Sequence, residues 1–203
     1  MKDPEAMCLN QRGAMFGLDA RIALAIFGGL TIITGAALFK AIGQTIATAQ
    51  LVELENVNKA VMQYMLDTGG SLPSSSILQN LIVDYGVVGW KGPYLSVESS
   101  AANSYLNVRG YIVLPGLPRS DSPWSATLTD VPTTCVAVDP TCHYFAVFGL
   151  SGALGGDLVP LDVHESLDEM VDGGDGYETG NYRMREQAGS RYVGYLKGPQ
   201  RLR

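Results

Sequence analysis

The sequence predicts an α+β protein in which a long N-terminal helix is packed against a small antiparallel β-sheet head. Three observations carry that expectation. From Ile22 to Phe39 there are 18 residues without a charge. Helical periodicity continues beyond that run as far as Asp67, now with one apolar and one polar side. After "DTGG" at 67–70, short β-branched and aromatic runs alternate with turn residues, and 24 glycines and 10 prolines suit a turn-rich sheet better than a helical bundle.

The chain opens with a hydrophilic leader, "MKDPEAMCLNQRGA", residues 1–14. A continuous helix is expected from about Phe16 to Asp67, within a segment 15–69; at 1.5 Å per residue it is roughly 75–80 Å long. Its first half is apolar all round, and 18 residues reach about 27 Å, close to the ~30 Å of a bilayer core. Gly28, Gly29 and Gly35 weaken that half by about 1 kcal/mol each relative to alanine, and they let helices approach closely. In the second half Leu51, Leu54, Val57, Val61, Tyr64 and Met65 recur at helical spacing, while Glu53, Glu55, Asn56 and Lys59 fill much of the opposite side. Gly69 and Gly70 supply the stop.

The head, residues 70–203, begins with a short helix or turn around 75–85. "GWKGPYL" at 89–95 follows, with Trp90 and Tyr94 expected to pack onto the long helix and Gly92-Pro93 to make a turn. Strands are predicted at 111–115, 134–139, 143–149, 181–185 and 191–196, with 115–134 a surface loop. A short helix from His164 to Val171 should be ended by Gly173 and Gly174. A sheet lying on the amphipathic half of the helix covers the apolar faces of both.

A net charge of −6 argues against a general nucleic-acid binder, which needs a basic surface. Of the three cysteines, Cys8 lies in the leader, which leaves Cys135 and Cys142 as a pair in "TCVAVDPTCHY", facing each other across a short hairpin. A disulfide there would imply an oxidising compartment and would contribute roughly 2–3 kcal/mol by chain entropy; the alternative is two free cysteines on strands. Two histidines, His143 and His164, and no nucleophile elbow, metalloprotease, phosphate-loop or dinucleotide motif give no catalytic constellation, so no enzyme is expected. Residues 157–178 carry eight acidic and no basic side chains, while 181–203 carry six basic and one acidic, a pattern able to join neighbouring heads or to neutralise itself within one.

The apolar segment does not read as a cleaved secretory signal, because its run is longer and an amphipathic helix follows it directly. The order of elements instead resembles the type IV pilin and type II secretion pseudopilin superfamily. A short polar leader ends in a small residue after a basic one ("QRGA"), and an acidic residue lies five positions further on. A long helix then leads to a head with a "GWKGPYL" stretch. The resemblance implies cleavage by a prepilin peptidase between Ala14 and Met15, possible N-methylation of Met15, and pairing of Asp19 with the new amine of a neighbouring subunit. Cleavage after Gly13 would put Leu18 in that place. The resemblance also implies an inner-membrane protein with its head in the periplasm, assembling with itself and other pilin-like subunits into a pilus or pseudopilus. The aspartate where the family has glutamate, the nearby Arg21 and the missing helix proline depart from the pattern. Related major pseudopilins bind calcium in a C-terminal loop, and here Asp168, Asp172, Asp175 and Glu178 offer oxygens, though not in EF-hand register; the alternative is a turn of solvated carboxylates. The runner-up function is a binding module on a single-span anchor.

Overall fold

The computed structural model describes residues 9–73, 77–96, 106–108, 111–116, 118–124, 134–135, 141–149, 159–187 and 191–202. In chain order the elements are α1 (Leu9–Thr68), α2 (Ile77–Ile82), β1 (Leu106–Val108), β2 (Tyr111–Pro115), β3 (Arg119–Ser120), β4 (Cys142–Phe148), α3 (Leu161–Asp172), β5 (Tyr182–Gln187) and β6 (Arg191–Gln200). This is the predicted α+β class. The helix begins at Leu9 rather than near Phe16; between them only Asn10 and Gly13 have poor helix propensity. The chain divides into two compact units, one ending at Gly43 and the other beginning at Gln44.

The described part of the first unit is helix alone. Its large apolar side chains are exposed in every direction, with Leu24 at 70%, Ile32 at 75% and Phe39 at 78%. By length and composition α1 could cross a membrane, with a mean hydropathy of 2.2 over its most apolar window.

In the second unit α1 buries Ala47, Gln50, Leu54, Val57, Val61 and Tyr64. These alternate at three- and four-residue steps, the spacing of a straight seam along a helix. Leu51, expected on this seam, flanks it and is only partly buried; the fully buried place belongs to Gln50.

The seam faces a six-stranded antiparallel sheet ordered β1-β2-β4-β6-β5, with β3 also paired to β4. The strand β4 occupies the centre and both its faces are covered. Tyr144, Ala146 and Phe148 join the core shared with α1 and α3. Phe145 and Val147 join Val193 and Tyr195 beneath Trp124. Burial on two sides explains why "YFAVF" is a continuous apolar run rather than an alternating one. Register is fixed by Ala146 opposite Leu196 and Leu114 opposite Val147.

Two elements differ from expectation. The strand β1 is three residues long, and β3, only two residues long, falls inside the stretch 115–134 read as a loop. Arg119 of β3 pairs with His143 on one side and bridges Thr134 on the other, so β3 stands where a direct cysteine hairpin was expected. Of the predicted strand 134–139, residues 136–139 lie outside the described residues. The packing expected of "GWKGPYL" is present: Tyr94 meets Tyr64 of α1 edge-on at 5.8 Å, its hydroxyl donates to Asp67 at 3.2 Å, and Trp90 packs on Tyr94 at 5.7 Å, but the turn falls at Val88 and Gly89 rather than at Gly92-Pro93.

Candidate functional site

Two regions carry polar groups that the fold itself does not require. The first is the start of α1. Gly13, Ala14 and Met15 are helical. Asp19 and Arg21 follow on the same helix; both are exposed, and neither has a partner among the described residues. Asp19 is the only carboxylate between Gly17 and Val52. At two residues' separation the two charges stand about 160° apart around the axis, too far for one helix to pair them.

The second is the junction of α3 and β5. Asp168 and Asp172 are one turn apart and share a face of α3. Gly173 ends the helix in a left-handed cap at φ 72°, its N–H bonded to the Glu169 carbonyl, and the chain turns back. The returning loop brings Asp175 to the same place, where one oxygen from each of Asp168, Asp172 and Asp175 lies within 4.8 Å of the others. Gly180 fits there only because it lacks a side chain: a Cβ would lie 2.7 Å from Asp172 Oδ2 and 2.8 Å from Asp175 Oδ2, and its φ is 82°. Glu178 is exposed and outside this group; its backbone carbonyl accepts from Trp124 N–H at 2.8 Å.

The three carboxylates are not equivalent. Asp172 already accepts three hydrogen bonds, from Asn181 N–H at 2.8 Å, Tyr182 N–H at 2.6 Å and the Asn181 carboxamide at 3.0 Å. It is therefore the strut that ties the helix end to β5. Asp168 is 5% exposed; its Oδ2 accepts from Gly176 N–H at 3.3 Å, while its Oδ1 is buried without a partner among the described residues. Burial chiefly, then the charges of Asp175, Asp172 and Glu169, push its carboxyl above the usual range, against the Gly176 N–H. Hard oxygens converging on one point, one of them orphaned, suit calcium in kind. In number they fall short of the roughly six to eight oxygens calcium takes, so backbone carbonyls and water would complete the shell.

Arg183 was not singled out by the sequence. It is 2% exposed and lies over the rings of Trp124 at 5.3 Å and Phe145 at 5.7 Å. Its guanidinium donates to the Gly180 carbonyl at 3.1 Å, the Ser122 carbonyl at 3.0 Å and Asp121 Oδ1 at 2.7 Å. Lys197 reaches the other oxygen of Asp121 at 2.5 Å, and Arg201 donates to the Cys135 carbonyl at 3.1 Å. Three basic residues of the C-terminal block are thus engaged inside the head, two of them with an acid from outside the acidic block.

Cys135 and Cys142 form a disulfide. His164 is fully buried and shares a 2.5 Å hydrogen bond with the Tyr182 hydroxyl; burial holds its pKa down to about 4, slightly offset by a backbone bond to Tyr192. His143 bonds the Gly198 carbonyl at 3.1 Å. No protein-family model matches the sequence, and no curated protein or solved structure matches it either.

Proposed function

We propose that this chain is a structural subunit of a type IV pilus or type II secretion pseudopilus. In this reading it is inserted through the first half of α1, cut between Ala14 and Met15, and assembled by packing α1 against copies of itself and related subunits. The observation that carries the reading is Asp19: a lone carboxylate on an apolar helix, with no partner among the described residues and five residues beyond Ala14. A carboxylate in apolar surroundings is several kcal/mol unfavourable unless paired, and the amine freed at Met15 of a neighbour is a fitting partner.

Other features agree. Lys2, Arg12 and Arg21 crowd the N-terminal side of the apolar run while only Lys40 closely follows it, which favours an N-terminus in the cytoplasm and a head outside. The Cys135–Cys142 disulfide suits an oxidising compartment such as the periplasm. The apolar surface of the first unit is as stable against lipid as against its own kind. Calcium, held by Asp168, Asp172 and Asp175, would fasten the end of α3 to the loop that leads into β5.

N-terminal sequencing of membrane-extracted protein tests the reading. A mature chain beginning Met-Phe-Gly-Leu-Asp is the expected result, and an intact Met1 would mean a plain anchor carrying a binding head. Asp19→Ala should insert in the membrane normally and fail to enter fibres; normal incorporation would remove the argument from pairing.

A further inference from the structure

The amine of Met15 leaves one charge unexplained. Arg21 stands at the mouth of the apolar run, exposed, without an acidic partner among the described residues. In a bilayer it can reach lipid phosphate. In a bundle of helices drawn out of the bilayer that phosphate is gone, and a guanidinium among apolar side chains needs an anion. Between Gly17 and Val52 each copy of the chain supplies only one, Asp19. Lys40, the other base of that stretch, lies about 28 Å beyond Arg21 along the axis, so at the mouth of the run the count is one acid to one base per copy; the two project from nearly opposite sides of α1, about 3 Å apart along its axis.

We propose that Arg21 of one copy pairs with Asp19 of the next, so that parallel copies of α1 associate through unlike faces. It rests on the assembly reading above, in that copies stand side by side. An acid on one face and a base on the opposite face cannot be satisfied in a closed two-fold pair, because each partner would keep one charge unmatched. Contacts between unlike faces propagate instead, each copy offering a free acid on one side and a free base on the other. A carboxylate has two oxygens, so Asp19 can accept from this guanidinium and from the Met15 amine together. The short axial offset lies within the reach of the arginine side chain, so the helices need little stagger.

Asymmetric cross-linking of the full chain in its own membrane tests this, in a Cys8→Ser background with the Cys135–Cys142 disulfide kept. Ala23→Cys lies one turn beyond Asp19 on its face, and Ala25→Cys one turn beyond Arg21 on the other. Two differently tagged copies, one with each cysteine, are expressed together and oxidised. The mixed 23–25 product should exceed the 23–23 and 25–25 products by about tenfold. Arg21→Glu on the Ala25→Cys copy should abolish it, and Asp19→Arg added to the Ala23→Cys copy should restore it to within about twofold. Equal yields of all three products overturn the proposal, as does indifference to charge reversal. A loss that Asp19→Arg does not rescue, but that depletion of anionic lipid reproduces, assigns Arg21 to phosphate and also overturns it. Sequencing the N-terminus of the same samples separates the two hypotheses: an intact leader beside strong mixed cross-links sinks the pilin reading alone, and a processed chain without them sinks the pairing alone.

Discussion

Replacing Gln50 with leucine should stabilise the protein. Gln50 lies on the inner seam of α1 between Ala47 and Leu54 at 0% exposure, and among the described residues neither Nε2 nor Oε1 has a hydrogen-bonding partner. An orphaned buried polar group is unfavourable by about 1–3 kcal/mol, and the carboxamide contributes two such groups. Leucine is similar in size and loses only apolar surface to the core, where Leu54, Val57 and Leu167 already form a continuous cluster. Its branch at Cγ takes back part of the gain through imperfect fit. The net expectation is roughly 2 kcal/mol of added stability, or about 4–8 °C in Tm for a folded unit of this general size. Thermal unfolding of the full chain in detergent, followed by circular dichroism, measures it. A Tm lowered by several degrees would refute the reasoning, because it would mean that the carboxamide is bonded in solution through an ordered water.

Four further outcomes follow from the same geometry. His164 is expected to make the head acid-sensitive: its pKa is ordinarily 6.5 but about 4 when folded, so as pH falls the unfolded chain takes the proton first. Stability is then lost between about pH 6.5 and 4, by up to roughly 3 kcal/mol in denaturant unfolding. The raised carboxyl of Asp168 works the other way, since the folded state takes its proton more readily and gains stability as pH falls; Asp168→Asn should therefore steepen the acid loss, and an unchanged slope would count against this assignment. Gly180→Ala should destabilise by more than about 1 kcal/mol, from its positive φ and the collision with Asp172 and Asp175; a neutral effect on Tm would mean the loop can reshape. Arg183→Met should lower stability by about 2–4 kcal/mol, because it unties Gly180, Ser122 and Asp121 at once, and a change under 1 kcal/mol would show that the ring contacts alone hold the segment.

Much of the fold is legible in the sequence where one periodicity dominates. The amphipathic half of α1, the central strand at 143–148 and the helix around 164–171 are each long enough for burial to impose a pattern. What escapes is short or context-bound. A two-residue strand such as β3 has no period to read. The strand β6 runs on to Gln200 through "KGPQ", which reads as a turn. It continues because β5 begins opposite Leu196, so Pro199 lies beyond the residues that β5 pairs with. On the far side Asn58 of α1 donates to the carbonyls of Leu196 and Lys197 at 3.4 and 3.1 Å. The acidic site shows the same limit. Composition points to four acids, and one-turn spacing groups Asp168 with Asp172. Which loop residue joins them depends on the left-handed turns at Gly173 and Gly180, and these bring in Asp175 and leave Glu178 outside. Gln50 is not legible as a core residue because its neighbour Leu51 is the apolar one, whereas the seam is set by angle.

On the assembly reading, polar groups rather than apolar area must decide whether α1 stays in lipid or enters a bundle. Exchanging acyl chains for leucine, isoleucine and phenylalanine side chains changes little, since both are equally apolar. The glycines at 28, 29 and 35 have open space around them and permit close approach, but close approach alone gives no preferred partner or direction. Asp19 and Arg21 differ in this respect. Each is tolerable at the lipid headgroups and unfavourable in a dry bundle unless matched, so a bundle that matches them is selected over every arrangement that does not. Removing both charges together should then leave α1 able to associate in detergent but with cross-links spread over many registers. If the double variant Asp19→Asn, Arg21→Gln still gave a single dominant 23–25 cross-link, shape rather than charge would be setting the register.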